Sequence, residues 1–261
     1  MRRYMKIPRV YPILFLFVAF FCTDGYSQTI KVMSYNIHHG ADKDELNTLD
    51  LIGKYIKRSG ADIVGLQEVD SVCNRSGNVD QMKRLAEITG MHYAFVRHFA
   101  YDGGAYGLGI LSRYPISDVK NNRITVLPKD DKKPSLAFLT AVVSLPKDRP
   151  LLFGTVHFGL NVPARLAQSD EVLAFTGADM PAIITGDLNA TPGTKEIRNL
   201  EARFTETGED AMLTFPAGKA VKKIDYIMVS KPHLKKVLRS VAVDEIHLSD
   251  HLPVVSTIRL Q

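Results

Sequence analysis

Residues 182–189 read Ala-Ile-Ile-Thr-Gly-Asp-Leu-Asn, a short apolar run that ends in the polar residues Asp187 and Asn189. A short run with β-branched side chains and turn-forming residues at its end favours a strand. Because the run is nearly continuous in apolar residues, we expect both faces of this strand to be covered, as in the inner strands of α/β proteins. In such folds, polar side chains at strand ends are held by a rigid sheet and reached by solvent.

The same pattern recurs along the chain from Thr29 onward. Further apolar runs, several of them ending in polar residues, lie at 30–35, 62–66, 108–111, 151–156, 224–229 and 254–258. Stretches with apolar residues at helical spacing lie between them, at 46–57, 79–89 and 163–175. No linker or low-complexity stretch divides the chain, and no repeat is visible. The sequence therefore predicts a single α/β domain whose polar residues gather at strand ends.

Residues 1–27 have the pattern of a secretory signal peptide. Four basic residues precede the apolar run 13–21, which is shorter than the ~20 residues that a membrane-spanning helix needs. Gly25 and Ser27 place small residues before a cleavage point at Gln28. We expect residues 28–261 to be exported, either to a periplasm or to the medium. Two alternatives stay open, a lipid anchor on Cys22 and a retained membrane anchor.

Most of the positive charge of the chain lies in the predicted signal. The formal net charge is +5, and removing residues 1–27, which carry +3, leaves +2. A nearly neutral domain gives no indication of a polyanionic partner such as a nucleic acid. Outside the signal, Cys73 is the only cysteine, so the stability of the domain has to come from a packed core rather than from disulfides.

Polar residues at or just beyond the strand runs are the candidates for chemistry. They are Asn36, Glu68, His157, Asp187, Asn189, Asp225, Asp250 and His251. Each of them alone has a structural explanation, such as a turn, a strand end or a salt bridge. Together they are rich in hard oxygen donors and contain no thiolate, which suits Mg²⁺, Mn²⁺ or Ca²⁺ better than structural zinc. A Mg²⁺ site that leaves positions for water and substrate phosphate indicates phosphoryl chemistry.

The segments around these residues resemble the motifs of the endonuclease/exonuclease/phosphatase superfamily. In chain order the motifs are Met-Ser-Tyr-Asn-Ile (33–37), Gly-Leu-Gln-Glu-Val (65–69), Ile-Leu-Ser-Arg-Tyr-Pro (110–115), Val-His-Phe (156–158), Gly-Asp-Leu-Asn (186–189), Ile-Asp-Tyr-Ile (224–227) and Ser-Asp-His-Leu-Pro-Val (249–254). The resemblance covers essentially all of 29–261, and the order of the motifs makes it specific. Val69-Asp70 and residues 75–81 resemble a signature of compact exported bacterial hydrolases.

The resemblance implies a fold and a metal site. The expected fold of residues 28–261 is a four-layer α/β/β/α sandwich in which two mixed β-sheets pack face to face. Glu68 would be the principal metal carboxylate, Asn36 would lie beside it and help to bind metal or phosphate, and Asp250 would serve the metal region. The implied cofactor is Mg²⁺ or Mn²⁺.

The resemblance also implies catalytic roles. Asp187 would orient or deprotonate the attacking water, and Asn189 would hold a phosphate oxygen. Asp225 and His251 would form a hydrogen-bonded pair at the scissile phosphate, and His157 would contact the phosphate and protonate a leaving oxygen. Whether Asp187 or His251 is the general base stays open.

The expected activity is hydrolysis of phosphate esters by in-line attack of an activated water. The substrate is a phospholipid head group, a small ester or a nucleic acid, with the first two slightly favoured by the low net charge. We expect a monomer without a stable protein partner. A non-catalytic binding protein that kept the fold is the alternative from another functional class.

Two surface segments carry further expectations. The cluster Lys219, Lys222 and Lys223 either grips a polyanionic head group or is a solvated turn. The segment 101–107 predicts a mobile loop at the rim of the cleft. Its residues Tyr101 and Tyr106 either stack on a substrate ring or cap the sandwich.

Overall fold

The computed structural model describes residue 1 and residues 27–128, 132 and 135–261. The predicted signal peptide, including Cys22, therefore lies almost entirely outside the described residues and stays a prediction. The described strands are β1 Gln28–Asn36, β2 Ile63–Ser71, β3 His92–Tyr101, β4 Gly104–Ser112, β5 Ile116–Ile124, β6 Leu136–Leu145, β7 Arg149–His157, β8 Ala182–Asp187, β9 Phe204–Glu206, β10 Asp225–Ser230, β11 Leu234–Ala242 and β12 Val254–Leu260. The described α-helices are α1 Leu49–Ser59, α2 Gln81–Thr89, α3 Val162–Thr176 and α4 Lys195–Glu201.

The strands form two mixed sheets of six strands each. The strand order is β11-β12-β1-β2-β4-β3 in the first sheet and β5-β6-β7-β8-β10-β9 in the second. One pair in each sheet is parallel, β1 with β2 and β7 with β8. The other neighbouring strands are antiparallel.

The two sheets face each other and each carries helices on its outer side. Apolar side chains from both sheets, such as Ile110 and Phe153, form one buried cluster between them. A second cluster joins Ile52 of α1 and Leu85 of α2 to the first sheet. A third cluster joins α3 and α4 to the second sheet. The predicted four-layer α/β/β/α sandwich is confirmed, and among the described residues no helix is long and apolar enough to cross a membrane.

The sheets pack tightly where β2 crosses the strands of the second sheet. A Cβ atom at Gly65 would overlap Thr185 Oγ1 and would lie 3.0 Å from the Thr155 side chain. Beside it, Gln67 Nε2 donates a hydrogen bond of 2.7 Å to Thr155 Oγ1 across the interface. The small residue at position 65 and this polar contact bring the ends of β2, β7 and β8 together.

The topology places the polar strand ends at one edge of the sandwich. In each sheet the carboxyl ends of the two parallel strands lie side by side. Strand β10 runs antiparallel to β8 and begins there, because Asp225 pairs with Asp187. Strand β12 runs antiparallel to β1, so the loop that precedes Val254 also lies at this edge.

Two surface expectations need correction, one for the segment 101–107 and one for Lys223, whereas Lys219 and Lys222 are exposed as in a solvated turn. The segment 101–107 is not a loop, because β3 continues to Tyr101 and β4 begins at Gly104. Only Asp102 and Gly103 form the turn, and their φ angles of 45° and 82° fit the tight hairpin turns that match strand twist. Lys223 is not solvated, because its Nζ donates to the Glu209 carbonyl at 2.7 Å and pairs with Glu206 in the interior.

Candidate active site

A cleft of about 710 Å³ opens at the edge where the strand ends meet. Of the eight predicted site residues, those that line it are Glu68, His157, Asp187, Asn189, Asp250 and His251. The other two, Asn36 and Asp225, are fully buried in the cleft wall and hydrogen-bonded to residues that line it. The structure therefore brings the whole predicted set together, while the role of each residue stays a prediction.

Glu68 reaches the cleft through an irregularity in β2. The register between β2 and β4 shifts between Leu66 and Val69, and Glu68 has a φ of 57°. A bulge of this kind turns a strand residue away from its regular direction. Asn36 Nδ2 at the end of β1 donates a hydrogen bond of 3.0 Å to Glu68 Oε1, which fixes the direction of the carboxylate.

The environment of Glu68 fits a bound cation. Burial alone would raise the pKa of Glu68, but the His157 imidazole, the Asn36 hydrogen bond and His251 hold the pKa below its usual value. The carboxylate is therefore ionised at neutral pH. The described side chains provide a hydrogen bond only to Oε1, which leaves Oε2 available to a ligand. Asn36 turns its amide nitrogen toward Glu68, and its Oδ1 accepts from the backbone N–H of His38 at 3.0 Å.

His251 lies between two carboxylates. Its Nδ1 is 3.0 Å from Asp225 Oδ2, and its Nε2 is 3.6 Å from Asp187 Oδ2. Burial alone would lower the pKa of His251, but the charge of Asp225 and its hydrogen bond raise the pKa to about 10. The imidazole is therefore protonated at neutral pH, with Nδ1–H donating to Asp225 and Nε2–H directed toward Asp187.

Asp187 and Asn189 follow β8 and face the end of β7. Asp187 Oδ1 accepts a hydrogen bond of 2.9 Å from the backbone N–H of Asn189, and Oδ2 accepts one of 3.2 Å from Asn36. Asn189 Nδ2 donates to the Phe158 carbonyl at 2.8 Å and lies 3.1 Å from His157 Nε2. His157 Nε2 is also 3.5 Å from Asp187 Oδ2, so the two motifs share one polar cluster.

Asp250 lies apart from this cluster. Its Oδ1 is 3.3 Å from Ser249 Oγ and 3.9 Å from His38 Nδ1. About a quarter of its side chain is exposed, at 27%. Asp250 therefore lines the cleft and lies near His38, a residue that sequence reasoning did not select.

Sequence reasoning missed three histidines around the cleft. His38 and His39 come two and three residues after Asn36, and this doublet just beyond a strand end was the available signal. His39 has a pKa below its ordinary value, because burial and the Arg75 guanidinium disfavour its charged form. His98 lines the cleft from β3, and its Nδ1 accepts from the Ala137 backbone N–H at 2.7 Å. Because His98 is an isolated histidine within a strand, its position in the sequence does not indicate that it lies at the cleft.

The predicted signature of residues 69–81 supports the turn that carries the histidine doublet. Arg75 binds buried Asp70 through two hydrogen bonds of 2.8 Å, and its guanidinium lies over the Tyr101 ring at 4.6 Å. Gln81 accepts from the backbone N–H of Asp70 and donates to the His39 carbonyl. These contacts tie β2, α2 and the His38–Gly40 turn into one unit.

Tyr106 and Cys73 both contact Tyr101. Tyr106 lines the cleft and packs on Tyr101, with ring centroids 6.2 Å apart. Cys73 is buried and lies 3.2 Å from the Tyr101 carbonyl. Burial raises the pKa of the Cys73 thiol to about 11, so this cysteine is not an activated nucleophile.

Comparison with known proteins agrees with this fold. The chain is 25% identical to "Uncharacterized protein YbhP" of Escherichia coli (strain K12) over 248 residues, which cover 89% of this chain and 97% of YbhP. The fold matches an endonuclease/exonuclease/phosphatase from Beutenbergia cavernae with a TM-score of 0.68 and 22% identity, over 89% of this chain and 72% of that one. It also matches the mannosyl-6-phosphatase Bt3783 of Bacteroides thetaiotaomicron with a TM-score of 0.69 and 19% identity, over 88% and 99% of the two chains.

The family assignment comes from the sequence itself. The sequence model of the endonuclease/exonuclease/phosphatase family matches residues 33–251, a span that includes every predicted site residue from Asn36 to His251. The members of this family include hydrolases of phosphoric esters. The chain therefore belongs to the endonuclease/exonuclease/phosphatase family.

Proposed function

We propose that this protein is an exported hydrolase of phosphate esters that requires a divalent cation, Mg²⁺ or Mn²⁺, and acts as a monomer. The observation that carries the proposal is the arrangement of Glu68, Asp187 and the Asp225–His251 pair around one cleft. An ionised carboxylate, a second carboxylate and a charged imidazole at one solvent-accessible edge suit attack of water on a phosphate group.

The proposed ion belongs beside Glu68. Glu68 is ionised and has an oxygen free of protein hydrogen bonds, and Asn36 orients its carboxylate. Asp250 contributes further negative charge on this side of the cleft. When bound, the ion supplies charge neutralisation to the substrate phosphate.

The remaining steps fall to the residues of this chain. Asp187 accepts a proton from the attacking water, since its carboxylate is held by Asn36 and the Asn189 backbone. His251 carries its proton already and donates Nε2–H to a phosphate oxygen, while Asp225 fixes its orientation. Asn189 and His157 hold the phosphate from the opposite wall, where His157 can donate a proton to the leaving oxygen.

The dimensions and charge of the cleft favour small esters or lipid head groups over nucleic acids. Its volume of about 710 Å³ lies in the range of small-molecule sites, roughly 300–1,000 Å³. Among the described residues that line it, only Arg165 and Lys222 are permanently basic, and Arg165 is paired with Glu196. A nuclease would need a basic track along the phosphate backbone. The similarity in fold to a mannosyl-6-phosphatase is consistent with a small phosphomonoester.

A substrate panel tests this proposal. The purified protein would be incubated with Mg²⁺ or Mn²⁺ and with p-nitrophenyl phosphate, bis(p-nitrophenyl) phosphate, mannose 6-phosphate, sphingomyelin vesicles or plasmid DNA. We expect turnover of at least one small ester or lipid and a slower reaction with DNA. Preferential cleavage of DNA would move the assignment to a nuclease, and silence on every substrate would favour a binding protein.

Export has an independent test. We expect the protein recovered from outside the cytoplasm to begin at Gln28, which N-terminal sequencing by mass spectrometry can establish. A lipid-modified N-terminus at Cys22 would instead support the anchored alternative. Recovery of the uncleaved chain in the cytoplasm would contradict export.

A further inference from the structure

The mechanism above leaves the histidine doublet beside Glu68 without a role. His38–Gly40 forms a short 3₁₀ turn directly after β1. It borders a second cavity of about 260 Å³, which shares Glu68 with the main cleft and is also lined by His39 and Glu45. A cavity with two imidazoles and two carboxylates is unusually rich in groups that bind metal ions.

Each imidazole of the doublet has one nitrogen within hydrogen-bond distance of an acceptor, and His38 Nε2 lies farther, 3.6 Å, from Glu45 Oε1. His38 Nδ1 lies 3.3 Å from the Asp42 carbonyl, which can only accept a hydrogen bond, so the proton of a neutral ring is on Nδ1. His39 Nε2 lies 2.9 Å from Glu45 Oε2 and donates to it. His39 Nδ1 is buried and has no hydrogen-bond partner among the described residues, and the whole residue is only 8% exposed.

This pattern is the one that metal-binding histidines show. A ligating imidazole almost always donates its other N–H to a carboxylate or a backbone carbonyl, which fixes the tautomer and the ring orientation. Glu45 and the Asp42 carbonyl are such partners for His39 and His38. A buried ring nitrogen with no partner is otherwise costly, because an unmade hydrogen bond in the interior is not compensated by water.

The two imidazoles lie close to Glu68. One ring nitrogen from His38, one from His39 and one carboxylate oxygen of Glu68 all lie within 4.8 Å of one another. Ligand atoms around one ion with bonds of about 2.1 Å lie up to about 4 Å apart, so small side-chain movements close the site. Arg75 borders the same cavity, but its guanidinium is bound by Asp70, which offsets its charge.

We propose that His38 and His39 join Glu68 as ligands of the divalent ion, so that this chain has a two-histidine, one-carboxylate site. This inference rests on the proposed role of Glu68 and adds nitrogen ligands to it. Imidazole suits Zn²⁺, Mn²⁺ or another first-row transition metal, whereas Mg²⁺ prefers oxygen ligands. The site therefore favours a transition-metal ion over Mg²⁺.

Metal binding can be measured without a substrate. The purified, EDTA-treated protein would be titrated with Zn²⁺, Mn²⁺ and Mg²⁺ by calorimetry, as wild type and as His38→Asn and His39→Asn. Asparagine is the suitable replacement, because both positions have left-handed φ angles, 43° and 45°, that asparagine adopts more readily than most residues. His247→Asn, at a half-exposed histidine that does not line this cavity, is the matched control.

We expect wild type to bind Zn²⁺ and Mn²⁺ more tightly than Mg²⁺. Each of the two site variants should lower the affinity for Zn²⁺ by about tenfold or more, whereas His247→Asn should not change it. Equal affinity of wild type and both site variants would overturn the inference, and so would a preference for Mg²⁺.

If a variant fails to fold, an absorption spectrum of the wild-type protein with Co²⁺ tests the inference instead. The visible absorption of bound Co²⁺ should indicate nitrogen ligands in a site with fewer than six ligands, and a spectrum of Co²⁺ surrounded by six oxygens would overturn the inference. Failure of the proposed function is separable from failure of this inference. A protein that binds Zn²⁺ through these histidines but hydrolyses no ester would contradict only the function.

Discussion

The Asp225–His251 pair is the most strongly coupled pair of charges at the site. His251 is buried between two carboxylates, and the one at 3.0 Å, Asp225, dominates its ionisation. A protonated imidazole in this position can donate to a phosphate oxygen but cannot accept a proton from water. At the scale of single residues, we therefore propose Asp187 rather than His251 as the general base.

Asp225→Asn tests this coupling. Burial alone lowers the pKa of His251, so the pKa should fall from about 10 toward its ordinary value when the Asp225 charge is removed, although Asp187 and Asp250 still raise it. The measurement is a ¹⁵N NMR titration of the imidazole in metal-free protein, with His247→Asn used to assign an exposed histidine. A His251 pKa that is the same with and without the Asp225 charge would contradict the coupling.

The same pair sets a pH dependence of stability. The pKa of His251 is higher in the folded state than the ordinary value of about 6.5. Its stabilising contribution is therefore fully present below about pH 6.5 and is lost as the pH rises through about 10. Urea unfolding of wild type should show a fall in the free energy of unfolding across this window, and the fall should be smaller in Asp225→Asn. An equal fall in both proteins would assign it to other groups.

At the scale of elements, the close approach of β2 to β7 and β8 is what joins the two halves of the site. Glu68 stands three residues beyond Gly65, where the sheets have no room for a side chain. Asp187 stands two residues beyond Thr185, the residue that a Cβ at position 65 would meet. The packing of one glycine against one threonine thus lies close in the chain to both the proposed metal carboxylate and the proposed base.

Gly65→Ala should therefore destabilise the protein by about 1–3 kcal/mol, the usual cost of overpacking a core. Thr185→Ala in the same chain should recover part of this loss, because it removes the atom that the new methyl group meets. The free energies of unfolding of the wild type, the single variants and the double variant form the cycle. Gly159→Ala is the control, since its Cβ would meet its nearest neighbour at an ordinary 3.5 Å. Strictly additive effects at positions 65 and 185 would contradict the contact.

Some strands and helices could be predicted from the sequence and others could not. Strands β1, β2, β7, β8 and β10 are covered on both faces and stand out as apolar runs. Strand β5 exposes most of its residues and carries a polar sequence, and no residue of β11 is buried, so the apolar pattern of both strands is too weak to reveal them. Helix α4 has only 7 residues, too few to establish a helical period. The strand ends that carry the site were predictable, because they follow the most strongly patterned strands.

The strand pattern also decides which site residues could be predicted from the sequence. The eight selected residues each follow an apolar run or precede one, and the topology brings them to one edge. His98 reaches the cleft from β3, at the far side of its sheet, and only the packing of the two sheets places it there. The contacts from Gln81 to Asp70 and His39 likewise depend on tertiary structure.

At the scale of the whole molecule, charge distinguishes the candidate substrates. Residues 28–261 carry a formal net charge of only +2. A small ester offers few phosphates for the protein to contact. Raising the salt concentration from about 50 to 200 mM should therefore change KM for such an ester by less than about threefold. A nuclease that makes 6–10 phosphate contacts would lose about 10³–10⁵ in affinity over the same range. The measurement is KM for p-nitrophenyl phosphate as a function of NaCl concentration. The control is the effect of NaCl on the free substrate. A steep loss of affinity would favour a polyanionic substrate.

The central proposal is metal-dependent ester hydrolysis at Glu68, and one measurement tests it most directly. Turnover of p-nitrophenyl phosphate and bis(p-nitrophenyl) phosphate would be followed for wild type, Glu68→Gln and Glu87→Gln, with each divalent ion and with EDTA. Glu87 is an exposed residue of α2 and serves as the matched control.

We expect turnover in wild type and Glu87→Gln that EDTA abolishes and added metal restores. Glu68→Gln should lower kcat/KM at least about a hundredfold, because it removes the charge that holds the ion beside the phosphate. Turnover that persists in EDTA, or that is equal in Glu68→Gln and wild type, would contradict the proposal.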